Sequence, residues 1–142
     1  MGLKQAIDIS VSAIESERRV LELISSNIAN ISTTRTIYGG PYRRRMAILQ
    51  EKPISFASEL SKAELKLGGG VEVTEVAEDM TPFQKVYNPS HPDADSHGYV
   101  AMPNVNLAQE MVDLTLNSRL YEANIAVFTA TKKMAQDTLQ LP

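Results

Sequence analysis

The chain has 142 residues, enough for one ordinary domain. A hydrophobic content of 43% excludes a compositionally disordered chain, while 6% aromatic residues and no Trp leave most packing to Ala, Ile, Leu, Val and Met. A net charge of −3 argues against a dedicated nucleic-acid binder, and the absence of Cys excludes disulfides and thiolate chemistry.

The charge is unevenly placed. Residues 1–45 carry seven Lys/Arg against four Asp/Glu, a net of +3, whereas 71–113 carry Lys85 against eight acids, a net of −7. Head-to-tail contact between copies or relatives is one reading of this asymmetry, and two ordinary solvated faces is the other. No apolar run approaches the roughly 20 residues that span a bilayer, so no direct membrane insertion is expected. Asp8, Glu15 and Glu17 interrupt any signal-peptide core, so export, if it occurs, is expected to use another route.

Alternating steps of four and three through the first 31 residues meet Leu3, Ile7, Ser10, Ile14, Glu17, Leu21, Ile24, Ile28 and Ile31. Ile7, Ile14, Leu21 and Ile28 make an unbroken seven-residue repeat, and no Pro occurs before Pro41. The spacing predicts a helix with a narrow apolar stripe, its register complicated by Glu17 on the seam. Small and polar residues crowd Ser25–Thr34 at its end. They suit either close approach and amide bonding across an interface or a fraying C-terminus with Asn30 near the cap.

The middle, 37–103, holds six of the seven Pro and six of the seven Gly. Arg43–Gln50, Val71–Val76, Phe83–Tyr87 and Gly98–Met102 are strand candidates, and Gly68, Gly69 and Gly70 read as a turn or hinge. The last third repeats the first pattern: Leu107, Met111, Leu114, Ser118, Tyr121, Ile125, Phe128, Lys132, Ala135 and Leu139, after Pro103, with Asn104 or Asn106 as N-cap. The fold class is therefore α+β: long N- and C-terminal helices forming an antiparallel coiled-coil-like stem (1–36 and 104–142) with a small β-rich central insertion (37–103). Ile9, Val11, Val20 and Leu23, then Val112, Leu116, Leu120 and Val127, are apolar off the seams. They call for further helices that this chain does not contain, so other subunits are expected to supply them.

Three constellations bear on chemistry. His91-Pro92-Asp93-Ala94-Asp95-Ser96-His97 alternates four potential metal ligands, so a metal-binding or hydrolytic domain centred on it is the alternative reading. A rigid turn built on Pro and Asx residues explains the segment more simply. No Gly-x-Ser-x-Gly elbow is present, and Gly68–Gly70 lacks the Lys-Ser/Thr of a P-loop. Arg43-Arg44-Arg45 is either a phosphate-contacting patch or a strand start offering forked donors to carboxylates, and the acidic balance favours the second.

Ser26-Asn27-Ile28-Ala29-Asn30 with Thr33-Thr34, and Glu110-Met111-Val112-Asp113 with Arg119-x-Tyr121-Glu122-Ala123-Asn124, resemble the terminal signatures of bacterial flagellar rod and hook proteins. Pro41-Tyr42-Arg43-Arg44, Pro82-Phe83-x-x-Val86-Tyr87, His91–Asp95 and Gly98–Asn106 extend the resemblance over nearly the whole chain. It implies a structural subunit of the proximal rod, the hollow drive shaft of the basal body, with no catalysis and no cofactor. The implied partners are copies of itself, the other rod proteins FlgB, FlgF, FlgG and FliE, and the flagellar type III export apparatus, which takes the chain without signal cleavage. Contacts between subunits are expected at Ile7, Ile14, Leu21, Asn27, Ile28, Asn30, Ile31, Leu107, Met111, Leu114, Tyr121, Asn124, Ile125, Phe128 and Leu139.

Overall fold

The structure, a computed structural model, describes residues 2–52 and 69–140. Gly68, in the expected hinge, lies outside them. The elements follow in the order α1 (Leu3–Ala29), β1 (Arg45–Glu51), β2 (Val71–Glu78), β3 (Gln84–Tyr87), β4 (Tyr99–Met102) and α2 (Leu107–Leu139).

The two long helices form where the spacing predicts them and pack along each other. They run antiparallel, because Asn27 near the end of α1 bonds Glu110 in the first turn of α2. At 1.5 Å per residue they are about 40 and 50 Å long. Asn106 caps α2, its side-chain oxygen accepting from the amides of Ala108 and Gln109. Asn30 closes α1 by donating its amide to the Ser26 carbonyl at 2.8 Å.

The middle makes two separate two-stranded antiparallel sheets, β1–β2 and β3–β4. β1 starts at Arg45, two residues later than predicted, because the Arg44 amide donates to the Asn104 side chain instead of to a strand. A bulge between Ile48 and Leu49 shifts the β1–β2 register. In β3–β4 the opposed pair Tyr87 and Tyr99 meets edge-to-face at 5.3 Å.

A two-stranded sheet is marginal on its own, and β1–β2 is pinned to α1. The Val71 amide donates to Ser12 Oγ at 3.1 Å, Ser16 Oγ donates to the Val71 carbonyl at 3.2 Å, and the Lys52 amide donates to the Gly70 carbonyl at 2.9 Å. Both serines are buried in consequence. Gly70 makes the approach possible: its φ is +105°, and an added Cβ would collide with the Ser12 side chain. The apolar core is small, with Leu23, Ile24, Tyr42, Val100 and Val105 gathered where α1 ends and α2 begins.

Gly70→Val places a β-branched residue in left-handed backbone against Ser12, and the expected loss is about 1–3 kcal/mol. Denaturant unfolding should show it, with hydrogen exchange accelerated first in β1 and β2. An unchanged midpoint would mean that the strand does not dock on α1 in this way.

Candidate assembly interface

Three elements converge at the head of the stem. Glu110 is fully buried, and its carboxylate takes the Arg44 Nε donor at 2.6 Å and the Asn27 side-chain amide at 3.0 Å. Arg44 also reaches Asp113 at 3.3 Å. Asn27 uses its whole amide. Its nitrogen donates to Glu110 and to the Arg45 carbonyl at 2.9 Å, and its oxygen accepts from the Arg45 amide at 2.9 Å and the Tyr42 hydroxyl at 3.0 Å. Toward the backbone of Arg45 the side chain thus acts like an extra strand residue. Asn104 bridges the next loop, accepting from the Arg44 amide and donating to the Asp79 carbonyl and Thr81 Oγ1, each at 2.9 Å.

This network resolves two open readings. Of the arginines 43–45, Arg44 presents its fork to carboxylates, and they belong to its own chain. The two asparagines of the 26–30 segment divide the roles between them: Asn30 is the cap, and Asn27 makes the close contact. Asn27 was expected at a contact between subunits, but at 1% exposure it has no surface left for a neighbour. Its partners are the strand start and α2 of the same chain. Sequence reasoning missed Glu110 as the buried carboxylate. The available signal was an acid on the apolar seam side, between Leu107 and Met111 and one turn after the Asn106 cap.

Of the other expected contact residues, Ile7, Ile14, Leu21, Ile28, Asn30, Ile31, Leu114, Tyr121, Asn124 and Phe128 are half-buried. Leu107, Met111, Ile125 and Leu139 remain exposed. A second stripe on α2 is more open still. Val112, Leu116, Leu120, Val127 and Met134 all stand exposed, with Ala123 and Ala130 completing the steps of four and three. The face between this stripe and Met111 is polar, with Thr115, Arg119, Glu122, Lys133 and Asp137 exposed.

The loop 88–98 is a knot of hydrogen bonds. Asp95 Oδ1 accepts the amides of His97 and Tyr99 at 2.8 and 2.9 Å, and the Tyr99 bond chiefly holds its carboxyl below the ordinary range. His91 Nδ1 accepts the Asp93 amide, and Asp93 takes Thr34 Oγ1 at 2.8 Å and faces Arg35 at 3.9 Å. The segment is the turn of the simpler reading and ties the middle to the chain leaving α1. Among the described residues, no three His, Asp or Glu side chains gather as metal ligands.

Glu17, the acid on the seam, has one carboxylate oxygen sealed from solvent without a hydrogen-bond partner among the described residues. Burial pushes its carboxyl above the ordinary value.

The fold is that of a paired-helix stem with an uncovered apolar stripe, and sequence comparison gives its family. Residues 7–35 match the family described as flagella basal body rod protein, and 96–141 match the flagellar basal body rod FlgEFG protein C-terminal family. The chain is similar to the flagellar basal-body rod protein FlgC of Bacillus subtilis, 41% identical over 96% of this chain and 95% of that one. The FlgC proteins of Borreliella burgdorferi and Salmonella typhimurium are 38% and 37% identical, each alignment covering 99% of this chain and 98% of the relative. The chain belongs to the FlgC family of flagellar basal-body rod proteins.

Asn27→Asp keeps the shape of the hub but replaces its donor with a carboxylate facing Glu110 and the Arg45 carbonyl. The expected loss is about 3 kcal/mol or more, at least as large as for Asn27→Ala. Denaturant curves for the two variants decide this, and a near-neutral Asp variant would contradict the bonding described.

Because burial raises the Glu17 pKa, the folded chain holds that proton to higher pH than the unfolded chain does. Its contribution is harmless below the ordinary carboxylate value of 4.5 and becomes destabilising as pH rises from there through the raised folded value. Glu17→Gln is expected to flatten that limb and to raise the unfolding midpoint at neutral pH. A parallel pH profile for parent and variant would show that the orphaned oxygen has no energetic consequence.

Proposed function

We propose that the chain is a structural subunit of the proximal rod of the flagellar basal body, where copies and related rod proteins stack helically into a hollow drive shaft that transmits torque. The observation that carries the reading is the open apolar stripe of α2, from Val112 to Met134, beside a seam already shared with α1. Contiguous apolar surface of this kind marks a protein–protein contact. In the isolated chain it faces water. In a bundle of neighbouring stems each large aliphatic residue would contribute roughly 1.5–3 kcal/mol on burial.

On this reading, 1–36 and 104–142 are one discontinuous assembly domain, and 37–103 is a β-rich part carried on its side. The partners are copies of the chain and the rod proteins FlgB, FlgF, FlgG and FliE, with the type III export apparatus during secretion through an uncleaved N-terminus. The rod so built crosses the periplasm. No described helix is long and apolar enough to cross a membrane. The function is mechanical, with no catalytic step, cofactor or metal. Expected contacts are Ile7, Ile14, Leu21, Ile28, Asn30 and Ile31 on the N-terminal side, and Leu107, Met111, Leu114, Tyr121, Asn124, Ile125, Phe128 and Leu139 on α2, with Asn27 set aside because it is buried within the chain.

Leu116→Glu and Val127→Glu alter exposed positions, so each should change the stability of the purified chain by no more than about 0.5 kcal/mol. Both should nevertheless prevent recovery of the chain in purified basal bodies and abolish swimming, because a carboxylate buried between stems is costly. Normal motility with either variant would count against the stripe as an assembly surface.

A further inference from the structure

The turn Thr36–Gly40 holds Ile37 and Tyr38 at 92% and 88% exposure. Its backbone is hydrogen-bonded within the turn. The Thr36 amide donates to the Gly40 carbonyl at 2.8 Å, the Gly39 amide donates to the Thr36 carbonyl at 3.0 Å, and Gly39 and Gly40 take φ of +82° and +75°. A preformed turn loses little entropy when its side chains dock. Behind it lies an open groove of about 440 Å³ walled by Tyr42, Arg43, Arg45 and Phe83. The Arg43 guanidinium sits 4.3 Å over the Phe83 ring, and that of Arg45 is 5.7 Å from the Tyr42 ring. The groove's one acid, Glu78, is 4.0 Å from Arg45.

A complementary patch lies on the same chain, farther along the same hairpin. Arg45 pairs in register with Glu78, Ile48 with Glu75 and Gln50 with Glu72. At about 3.3 Å per residue, Glu75 and Glu72 stand roughly 10 and 20 Å along β2 from the arginines. Ile48 and Leu49 are exposed beside them, and neither acid has an ion-pair partner among the described residues. Opposed residues share a sheet face and the faces alternate, so Glu75, Glu72 and Ile48 lie on the face opposite Arg45 and Glu78. A second copy stacked face to face on the first and offset along the hairpin therefore brings the acids of one toward the arginines of the other. The contact joins two different patches, so it is heterologous and can repeat from copy to copy. The net of +3 over 1–45 against −7 over 71–113 has the matching sense.

We infer that the groove beneath the Ile37–Tyr38 turn receives the β1–β2 hairpin of a second copy of this chain, with Glu75 and Glu72 of one copy facing Arg45 and Arg43 of the next. The inference rests on the assembly reading above and names a lateral contact outside the helical stem. Arg45→Glu alone and Glu75→Arg alone are each expected to lower incorporation into basal bodies about tenfold, and the double variant to restore it. Full incorporation of both single variants, or a double variant no better than the singles, overturns the contact. Because the chain has no Cys, Tyr38→Cys and Glu75→Cys chains can also be co-expressed and treated with a short bis-maleimide in isolated basal bodies. A cross-linked dimer that neither variant gives alone supports the contact. Basal bodies that contain both chains without that dimer overturn it while the assembly reading stands. Absence of the unmodified chain from basal bodies overturns both.

Discussion

The buried carboxylate of Glu110 sets the terms for the rest of the structure. A carboxylate with no solvent exposure is tolerable only with opposite charge and hydrogen bonds around it. Arg44 supplies the charge at 2.6 Å, Asn27 supplies a donor at 3.0 Å, and the first turn of α2 adds its positive dipole end. These groups come from the strand entry, from α1 and from α2. The hub is therefore satisfied only when all three elements are in place together. Removing one leaves a charge or an amide stranded in the small core, so the hub makes the junction all-or-none.

That cooperativity matters because the stem is otherwise permissive. Ile7, Ile14, Leu21 and Ile28 repeat at intervals of seven, and a seam of near-identical aliphatic residues can slip by one repeat with little change in burial. A polar contact at one end forbids the slip, which is the best-attested use of buried polar groups in paired helices. The same hub fixes the middle. Asn27 holds the backbone of Arg45 at the foot of β1, and Ser12 and Ser16, farther up α1, hold the start of β2. The hairpin is thus attached to α1 at two heights, and its direction is set by the helix.

Much of this was legible in the sequence where a period or a stop signal carried it. The seven-residue repeat and the Pro-free runs gave both terminal helices, and Gly, Pro and alternating apolar residues gave the four described strands within two residues at each end. The acidic balance pointed Arg44 toward carboxylates. The hub itself was not legible, because Asn27 and Glu110 meet across 83 positions and neither type announces burial. Asn27 reads the same in a fraying helix end, at a subunit contact or in a buried junction. Ser12 and Ser16 look like solvent-facing helix residues until Gly70, which lacks a Cβ, is brought against them.

The distribution of apolar surface follows from these constraints. Among the described residues the apolar core lies at the junction, while α2 carries a second apolar stripe, Val112 to Met134, away from the side that α1 covers. With Asn27 set beside Glu110, α2 has more residues beyond that point than α1 has before it, so the end of α2 projects past the start of α1 with Leu139 in the open. Glu17 sits inside the seam with one oxygen unpartnered among the described residues, and burial raises its pKa. Such a subunit is firmly specified at one end and incompletely buried along the rest. Register is settled inside the chain by the hub, and most of the remaining burial is left for neighbours to complete. On the proposed rod reading, a polymer built this way would gain its stiffness from contacts between stems, where the unburied apolar area of α2 lies.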